Sequence, residues 1–382
     1  MREYVPRPGT RRTDLDLLRV IACFSIILAH AVLIFTSEPR YHIKNAEALI
    51  VADWIYEALR IGTLPLFFAL AGWGAVATLR RRSAGTFLRD RVVRVLLPLV
   101  AGILLIGPFI KYIERLHGRN LGFGGFRLVE PLQASIPTFL SQYWGRFNLL
   151  TWSHLWFLGY LFILSVALLP LLVYLARRTP STHMPGRGLA FAPAPALALL
   201  VVASGGYWPN LPNLLQDWGS LAFYGGCVAL GGWLAASPGL ESRFRRDAPL
   251  FLALALLGYI LMMWAGHTNL GRAAAGLCAW GAIGASFGFA GRRPPEMTPA
   301  LVWLGESTMA VYVLHHLPVL VIGAWLLPLA FPDSVKMVAI VVGATLVTLV
   351  TYRFLVLPFT VPRVLIGMDA RPKTSRPTPP AN

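Results

Sequence analysis

The sequence predicts an all-α protein, a polytopic bundle of about ten transmembrane helices with both termini in the cytoplasm. Two observations lead to this prediction. The 382 residues are 56% hydrophobic and 13% charged, which leaves too little polar surface for a water-soluble globule. Apolar stretches of about 20 residues, the length that crosses a bilayer, follow one another along the chain. The same composition excludes a disordered chain, and three cysteines inside apolar stretches exclude a disulfide-stapled domain.

Ten apolar stretches are candidate spans. They lie near residues 15–36, 54–79, 91–110, 155–176, 189–204, 214–235, 249–265, 270–289, 301–327 and 337–358. Two of them are candidate broken or re-entrant helices, one because it carries two prolines and the other because it is long and contains a proline. These are 189–204, with Pro193 and Pro195, and 301–327, with Pro318.

The distribution of positive charge supports ten spans. With the N-terminus placed in the cytoplasm, 22 of the 34 Lys and Arg fall in cytoplasmic connections and nine in outer ones, as the positive-inside rule requires. No basic stretch is interleaved with aromatic residues, so nucleic acid is not an expected partner of this +17 chain. The expected location is the cell membrane, inner or plasma, with lipid as a partner.

The domain organisation is expected to be simple. Residues 1–365 are predicted to form one membrane domain, and residues 366–382, rich in proline and without an apolar stretch, a disordered cytoplasmic tail. The polar N-terminus does not resemble a cleavable signal peptide, so the first helix is expected to be retained. The long outer connection 111–153 is a candidate cover for a site.

The first predicted helix carries the most informative polar residues, because a charge inside a membrane is costly unless it is paired or faces a polar cavity. Asp16 and Arg19 are three residues apart and can pair. His30 follows Arg19 by eleven residues, which places both on one helical stripe, about 16 Å apart along the axis. In an equally favoured interpretation, Asp16 and Arg19 mark the membrane boundary and His30 is an ordinary core histidine.

A basic segment follows the second predicted helix. Arginine binds phosphate well because its planar guanidinium matches phosphate oxygens. Positive-inside topology alone explains Arg80, Arg81 and Arg82. It explains Arg91 and Arg94 less well, since they lie three residues apart on the entry turn of the third helix and are expected to face the bundle.

Two further segments contain histidine. His154 opens the fourth span beside Trp156, and an interfacial role is the favoured interpretation there. The late segment 301–327 carries Glu306, Ser307, Tyr312, His315 and His316. Adjacent helical residues point about 100° apart, so at most one of the two histidines is expected to face a given cavity. No residues have the spacing of a structural metal site, and no metal is expected.

These residues resemble the integral-membrane acyltransferase-3 family, especially its branch related to the succinyltransferase of osmoregulated periplasmic glucans. The chain departs from many relatives at 71–73, where Ala-Gly-Trp replaces Ser-Gly-Phe, so a hydroxyl is not essential there. The resemblance extends over nearly the whole chain, and the family's motifs occur in the family's order. They are Asp16, Arg19 and His30; the stretch Phe67–Trp73; Arg91, Arg94 and Pro98; the element His154–Leu158; and Ser307, Tyr312 and His315.

The resemblance implies O-acyl transfer from cytoplasmic acyl-CoA, the donor co-substrate, to a hydroxyl reached from the extracytoplasmic side. Arg91 and Arg94 would hold the CoA phosphates. His30 would act as general base or, less favoured, carry the acyl group itself. The remaining roles would be donor positioning by Arg19 with its partner Asp16, a pocket wall including His154, Trp156 and Ser307, and oxyanion stabilisation or thiolate protonation by Tyr312 or His315.

Several alternatives stay open at this point. The acyl group is acetyl or succinyl, and the acceptor is a carbohydrate or another small molecule with a hydroxyl group. A secondary transporter of a small solute also has polar residues on membrane helices and an arginine-lined mouth. Such transporters usually contain internal repeats, and the two halves of this chain do not align.

Overall fold

The computed structural model describes residues 12–122, 125–205, 212–214 and 216–370. It confirms the all-α class, since within this part of the chain the strands are confined to one short antiparallel hairpin. The prediction of a disordered tail concerns residues 366–382, of which 371–382 lie outside the described residues.

Seventeen α-helices and the hairpin make up the described part of the chain. The helices are α1 (Thr13–Leu33), α2 (Ile50–Leu79), α3 (Ala84–Arg91), α4 (Leu97–Leu105), α5 (Gly107–Leu116), α6 (Ile136–Tyr143), α7 (Trp156–Ala167), α8 (Leu169–Arg177), α9 (Arg187–Phe191), α10 (Pro193–Ala203), α11 (Trp218–Ala236), α12 (Pro238–Ala265), α13 (Asn269–Arg292), α14 (Pro299–Leu314), α15 (His316–Leu326), α16 (Asp333–Thr351) and α17 (Thr360–Leu365). The hairpin pairs β1 (Arg119–Gly122) with β2 (Gly125–Leu128) in the register Arg119 to Leu128. Five-residue π-helical segments, Val92–Leu96 and Tyr352–Val356, join α3 to α4 and extend α16.

The membrane-spanning elements match the predicted stretches closely. Within the described residues, six helices are long and apolar enough to cross a membrane: α1, α2, α11, α12, α13 and the helix Asp333–Val356. Three bent pairs raise the number of possible spans to nine: Ala84–Leu105 with Gly107–Leu116, Ser153–Ala167 with Leu169–Arg177, and Pro299–Leu314 with His316–Leu326. At 189–204 the chain forms a shorter apolar helix, Arg187–Ala203. The count of ten and the cytoplasmic placement of both termini stay predictions.

Prolines account for the bends in these pairs. A helical proline lacks an N–H and clashes with the carbonyl four residues earlier, so the helix turns away there. Pro108 releases the carbonyl of Leu104, which accepts a hydrogen bond from the Trp144 indole at 3.1 Å, and the helix bends by 44°. Pro318 has the same relation to Leu314, where the pair α14 and α15 bends by 58°. The expected break within 301–327 is therefore confirmed.

Glycines bring α2 and α11 into backbone contact, which small residues at a helix interface permit. A Cβ added at Gly72 would lie 2.0 Å from the carbonyl oxygen of Val228, and one at Gly231 would lie 1.9 Å from that of Ala69. The two helices therefore interlock through reciprocal glycine contacts. Cys23, Cys227 and Cys278 are buried free thiols.

Helix α1 lies at the centre of this bundle. It contacts α2, α13, α14, α15 and α16. Behind its C-terminal end, the ammonium of Lys44 donates to the carbonyl of Leu33 at 2.7 Å and to both oxygens of Thr36, which places positive charge at the negative end of the helix dipole. Burial lowers the pKa of Lys44 to about 8. The C-terminal end of α1 is therefore held in place within the bundle.

We expect Gly231→Ala to lower the free energy of unfolding by about 1–3 kcal/mol, because its methyl group collides with the α2 backbone. Gly188→Ala is the matched control, since nothing lies within 4 Å of its Cβ position. Both substitutions gain the helix stability that alanine has over glycine, so this gain does not explain a difference between them. Thermal unfolding in detergent measures the difference. Equal melting temperatures for the two variants would contradict the close packing of α2 and α11.

Candidate functional site

Three neighbouring cavities follow α1 from its N-terminal to its C-terminal end. We call them the basic cavity, which includes Asp16 and Arg19, the middle cavity, which includes Arg19 and Cys23, and the histidine cavity, which includes His30 and Leu33. Neighbouring cavities share lining residues. Arg19 and Arg91 line both the basic and the middle cavity, and Phe157 and Tyr312 line both the middle and the histidine cavity. The stripe predicted on α1 therefore faces cavities.

The basic cavity is a wide opening, of about 540 Å³, with arginine on most sides. Its arginines are Arg12, Arg19, Arg81, Arg82, Arg91 and Arg94. Four of them form ion pairs: Arg12 with Asp14 and Glu241, Arg19 with Asp16, Arg82 with Asp90, and Arg94 with Asp369. Arg91 forms no ion pair within the described part of the chain, and its guanidinium lies 4.7 Å from the centroid of the Phe87 ring. The cavity thus presents cationic groups suited to an anionic ligand.

The middle cavity is lined mainly by apolar side chains. Phe67 and Leu70 of α2, Phe157 and Leu161 of α7, and Met309 of α14 form most of its wall. Polar residues lie at both ends of this cavity. Arg91 lies at the end shared with the basic cavity, and Tyr312 lies at the end shared with the histidine cavity. Such a lining suits an uncharged, slender part of a ligand that extends from the basic cavity.

The histidine cavity lies at the C-terminal end of α1. His30, His154 and Tyr312 form one side, and aromatic residues including Trp156 and Tyr224 form another. At the rim, Arg40 pairs with Glu38 at 2.7 Å and Arg60 pairs with Glu57 at 2.6 Å. Burial acts to raise the pKa of Glu38, but hydrogen bonds from Arg40 outweigh it and hold the pKa below its usual value. The cavity therefore combines imidazoles, aromatic faces and neutralised charge pairs.

Five histidine rings meet beside this cavity. His30 packs against His316 and His315 with ring centroids 4.4 Å and 5.3 Å apart. The remaining close pairs are His154 with His316 at 4.7 Å, His154 with His315 at 5.0 Å, and His42 with His316 at 5.0 Å. Within the described residues, no group of three or more His, Cys, Asp or Glu has the arrangement of a metal site.

The expectation that at most one of His315 and His316 faces a given cavity is not contradicted, since neither of them lines the three cavities. Both rings contact His30, because α14 ends at Leu314 and α15 begins at His316, so the helix bends between the two side chains. The geometry of a straight helix, with a 100° rotation per residue, does not apply at such a break.

A buried ion pair lies behind the histidines. Lys111 and Glu114, both on α5 and both fully buried, pair at 2.6 Å, and Glu114 also contacts Nδ1 of His42. Sequence analysis placed 111–153 in an outer loop and so did not identify this pair. The signal was present, since a Lys and a Glu three residues apart directly follow the apolar stretch 91–110.

A family model described as an acyltransferase domain matches residues 12–353, which is nearly the whole chain. The chain belongs to the acyltransferase-3 family. No curated protein and no solved structure matches the sequence.

The protein is therefore a multi-pass membrane acyltransferase, consistent with an O-acyltransferase. Membership favours this activity over the transporter alternative. The family model does not separate branches, so similarity to the glucan succinyltransferases stays a prediction.

In the acyltransferase, most of the predicted site residues lie along the three cavities. Asp16 and Arg19 form the expected pair at 3.2 Å. Arg91 and Arg94 line the basic cavity, while His154 and Trp156 line the histidine cavity together with His30. Tyr312 lines the middle and histidine cavities, and its hydroxyl donates to the carbonyl of His154 at 2.5 Å.

Two predicted residues have different surroundings. Ser307 is buried and its hydroxyl donates to the carbonyl of Leu304 at 2.8 Å, so its neighbour Thr308, and not Ser307, lines the middle cavity. His315 contacts His30 but is buried behind the cavity wall, with Nδ1 within 2.9 Å of the carbonyls of Val311 and Tyr312.

We expect Lys111→Met to destabilise the acyltransferase by about 3–5 kcal/mol, because it leaves the Glu114 carboxylate buried without its cation. Arg82→Ala is the control. Its ion pair with Asp90 has side chains 51% and 31% exposed, and an exposed pair contributes about 1 kcal/mol or less. Denaturation in mixed detergent micelles compares the two. A loss for Lys111→Met no larger than that for Arg82→Ala would contradict the role of the pair.

Proposed function

We propose that this membrane acyltransferase binds acyl-CoA in the basic cavity and transfers the acyl group to an acceptor hydroxyl in the histidine cavity. One observation supports this above all: a single helix, α1, lines three consecutive cavities, with Arg19 at one end and His30 near the other. The two positions are about 16 Å apart along the helix axis. A long, thin ligand with an anionic head and a reactive tail fits this arrangement.

The positive charge of the basic cavity supports a donor site there. The phosphates of CoA are anionic, and guanidinium groups bind phosphate through paired hydrogen bonds. Most arginines of the basic cavity are partly neutralised by carboxylates, whereas Arg91 has no ion-pair partner among the described residues. Arg91 also extends to the middle cavity, so it can contact a phosphate at the point where the pantetheine arm enters. Arg94 and Arg19 would support the same head group.

His30 is the residue that would carry out the chemistry. This ring is partly exposed to the histidine cavity, and its neighbours His315 and His316 are fully buried. As general base, His30 accepts the proton of the acceptor hydroxyl while the hydroxyl oxygen attacks the thioester carbonyl. The carbon–sulfur bond then breaks, and the same proton passes to the CoA thiolate. The products are the acyl ester and free CoA.

Tyr312 and His154 form the wall against which the reacting groups would lie. The Tyr312 hydroxyl already donates to the His154 backbone, and Nε2 of His154 hydrogen-bonds the carbonyl of Val313 at 3.1 Å. Their hydrogen atoms are therefore committed to backbone carbonyls. The role that this geometry supports for both residues is shaping the cavity, in place of oxyanion stabilisation by Tyr312.

The two end cavities are proposed to open on opposite sides of the membrane, with the acceptor in the histidine cavity. Positive charge concentrates on the side of the basic cavity, which supports a cytoplasmic position for that cavity and an extracytoplasmic position for the histidine cavity in the cell membrane. Aromatic faces beside the polar Arg40–Glu38 and Arg60–Glu57 pairs suit a polyhydroxylated molecule such as a carbohydrate. Acetyl and succinyl are the acyl groups to test.

We expect acyl-CoA to raise the melting temperature of the detergent-purified protein and Arg91→Ala to remove most of that increase. A ligand at 100 times its dissociation constant stabilises the folded state by about 2.7 kcal/mol. Arg293→Ala is the matched control, because Arg293 is exposed and lines none of the three cavities. Thermal unfolding with acetyl-CoA and succinyl-CoA measures the effect. Absence of stabilisation by either donor in folded protein would contradict acyl-CoA binding.

We expect His30→Gln to lower acyl transfer about 10²–10⁴-fold, the usual contribution of a general base, without loss of donor binding. His267→Gln is the control, since His267 is exposed and outside the three cavities. Release of free CoA in membranes supplied with polysaccharide acceptors measures transfer. A fully active His30→Gln variant would contradict the assignment. Solute uptake into vesicles without thioester consumption would favour the transporter.

A further inference from the structure

A chain of hydrogen bonds links the buried carboxylate of α5 to His30. Its members come from five separate segments of the sequence, and no two of them are neighbours except Tyr41 and His42. In order, the chain runs from Glu114 through His42, Ser153, His316 and Tyr41 to His30. The links at Ser153 and from His316 to Tyr41 are each 2.9 Å, and the last, from Tyr41 to Nδ1 of His30, is 3.4 Å.

The carboxylate of Glu114 sets the direction of these bonds. One of its oxygens, Oε1, accepts from the Lys111 ammonium at 2.6 Å and from the Leu121 amide at 2.5 Å. The other, Oε2, contacts Nδ1 of His42. An ionised carboxylate only accepts hydrogen bonds, so Nδ1 of His42 carries a proton. Nε2 of a neutral His42 is then an acceptor, and it faces the hydroxyl of Ser153.

The same logic extends along the chain, because a neutral imidazole has one donor and one acceptor nitrogen. Ser153 donates to His42 and therefore accepts from Nδ1 of His316. Nε2 of His316 then accepts from the Tyr41 hydroxyl. The oxygen of Tyr41 is left to accept from Nδ1 of His30. Nε2 of His30 is consequently the nitrogen with a lone pair, on the ring that lines the histidine cavity.

The two other rings of the cluster do not compete for His30. Nε2 of His154 donates to the carbonyl of Val313, and Nδ1 of His315 lies within hydrogen-bond distance of two backbone carbonyls. Their second nitrogens have no hydrogen-bond partner within the described part of the chain and can only accept. Neither ring therefore donates to Nδ1 of His30, and the orientation set at Glu114 reaches His30 through Tyr41.

We propose that Glu114, His42, Ser153, His316 and Tyr41 are positioning residues that hold His30 as the Nδ1–H tautomer, with Nε2 free to act as the base. This inference rests on the proposed function, in which His30 takes the acceptor proton. When Nε2 of His30 gains that proton, Nδ1 of His30 can pass its own proton to Tyr41. Tyr41, His316 and Ser153 each pass a proton to the next residue in turn, and Nε2 of His42 receives the last one. His30 is then neutral, and His42 is an imidazolium beside Glu114. The reverse shift returns a proton to the thiolate, so no proton is gained or lost.

Ser153→Ala tests the chain without changing His30, because within the described residues the Ser153 hydroxyl hydrogen-bonds only His42 and His316. We expect kcat to fall about 10–100-fold, part of the contribution of a general base, with the KM for acyl-CoA unchanged. Ser165→Ala is the matched control, since this buried hydroxyl donates only to the carbonyl of Leu161 in its own helix. Wild-type kcat in folded Ser153→Ala would overturn the proposal.

A double-variant cycle separates positioning from a structural role. Glu114→Gln alone is expected to lower kcat by a factor like that of Ser153→Ala. Residues that act as one unit are strongly non-additive, so the combined variant should lose no more than the worse single variant. Multiplied losses would mean that Glu114 and Ser153 act independently and would overturn the proposal. Melting temperatures identify any variant whose loss reflects unfolding.

A measurement independent of turnover distinguishes failure of this inference from failure of the proposed function. In protein labelled with ¹⁵N-histidine, the His30 ring is assigned by its absence in His30→Gln. We expect a protonated Nδ1 and a lone-pair Nε2 in the wild type and in Ser165→Ala, and exchange-averaged signals in Ser153→Ala. A wild-type ring protonated at Nε2 would overturn the proposal even if transfer is observed. The expected tautomer without transfer to any acceptor would refute the proposed function alone.

Discussion

The requirement that polar groups inside an apolar bundle find partners within the protein governs this structure. Lys111 and Glu114 are fully buried and satisfy each other, together with the Leu121 amide and Nδ1 of His42. The hairpin therefore folds back so that its backbone can reach the carboxylate. From that fixed point, hydrogen bonds extend to the ring that lines the cavity at the end of α1.

The bends that make this arrangement possible come from backbone chemistry. Pro108 separates α4 from α5, and its released carbonyl is taken by Trp144 of the segment that follows α6. The bend at Pro318 separates α14 from α15 and brings His315 and His316 into contact with His30. Continuous helices would direct these side chains to different neighbours. Broken helices thus serve the site, while the continuous helices α2 and α11 hold the bundle together through glycine contacts.

The sequence predicted what depends on regular periodicity. The apolar stretches follow from their length, and the Asp16–Arg19 pair and the stripe from Arg19 to His30 follow from the helical repeat. The described residues contain the pair, the stripe and six to nine candidate spans. It did not predict contacts made where that repeat stops. Tyr41 and His42 lie in the connection after α1, Ser153 opens a short turn before α7, and His316 follows a bend. Their convergence depends on loop paths and bend angles, which no residue spacing encodes.

The continuity of α1 has a consequence for substrate selection. Because Arg19 and His30 belong to one unbroken helix, the distance between the basic cavity and the imidazole is fixed by eleven residues of constant rise. Adding or removing one residue between them would turn the imidazole by about 100° and withdraw it from Tyr41 and the other histidines. In the proposed function, the length of the donor arm must therefore match the distance set by this one helix, and a longer acyl group would have to be accommodated by the walls around His30.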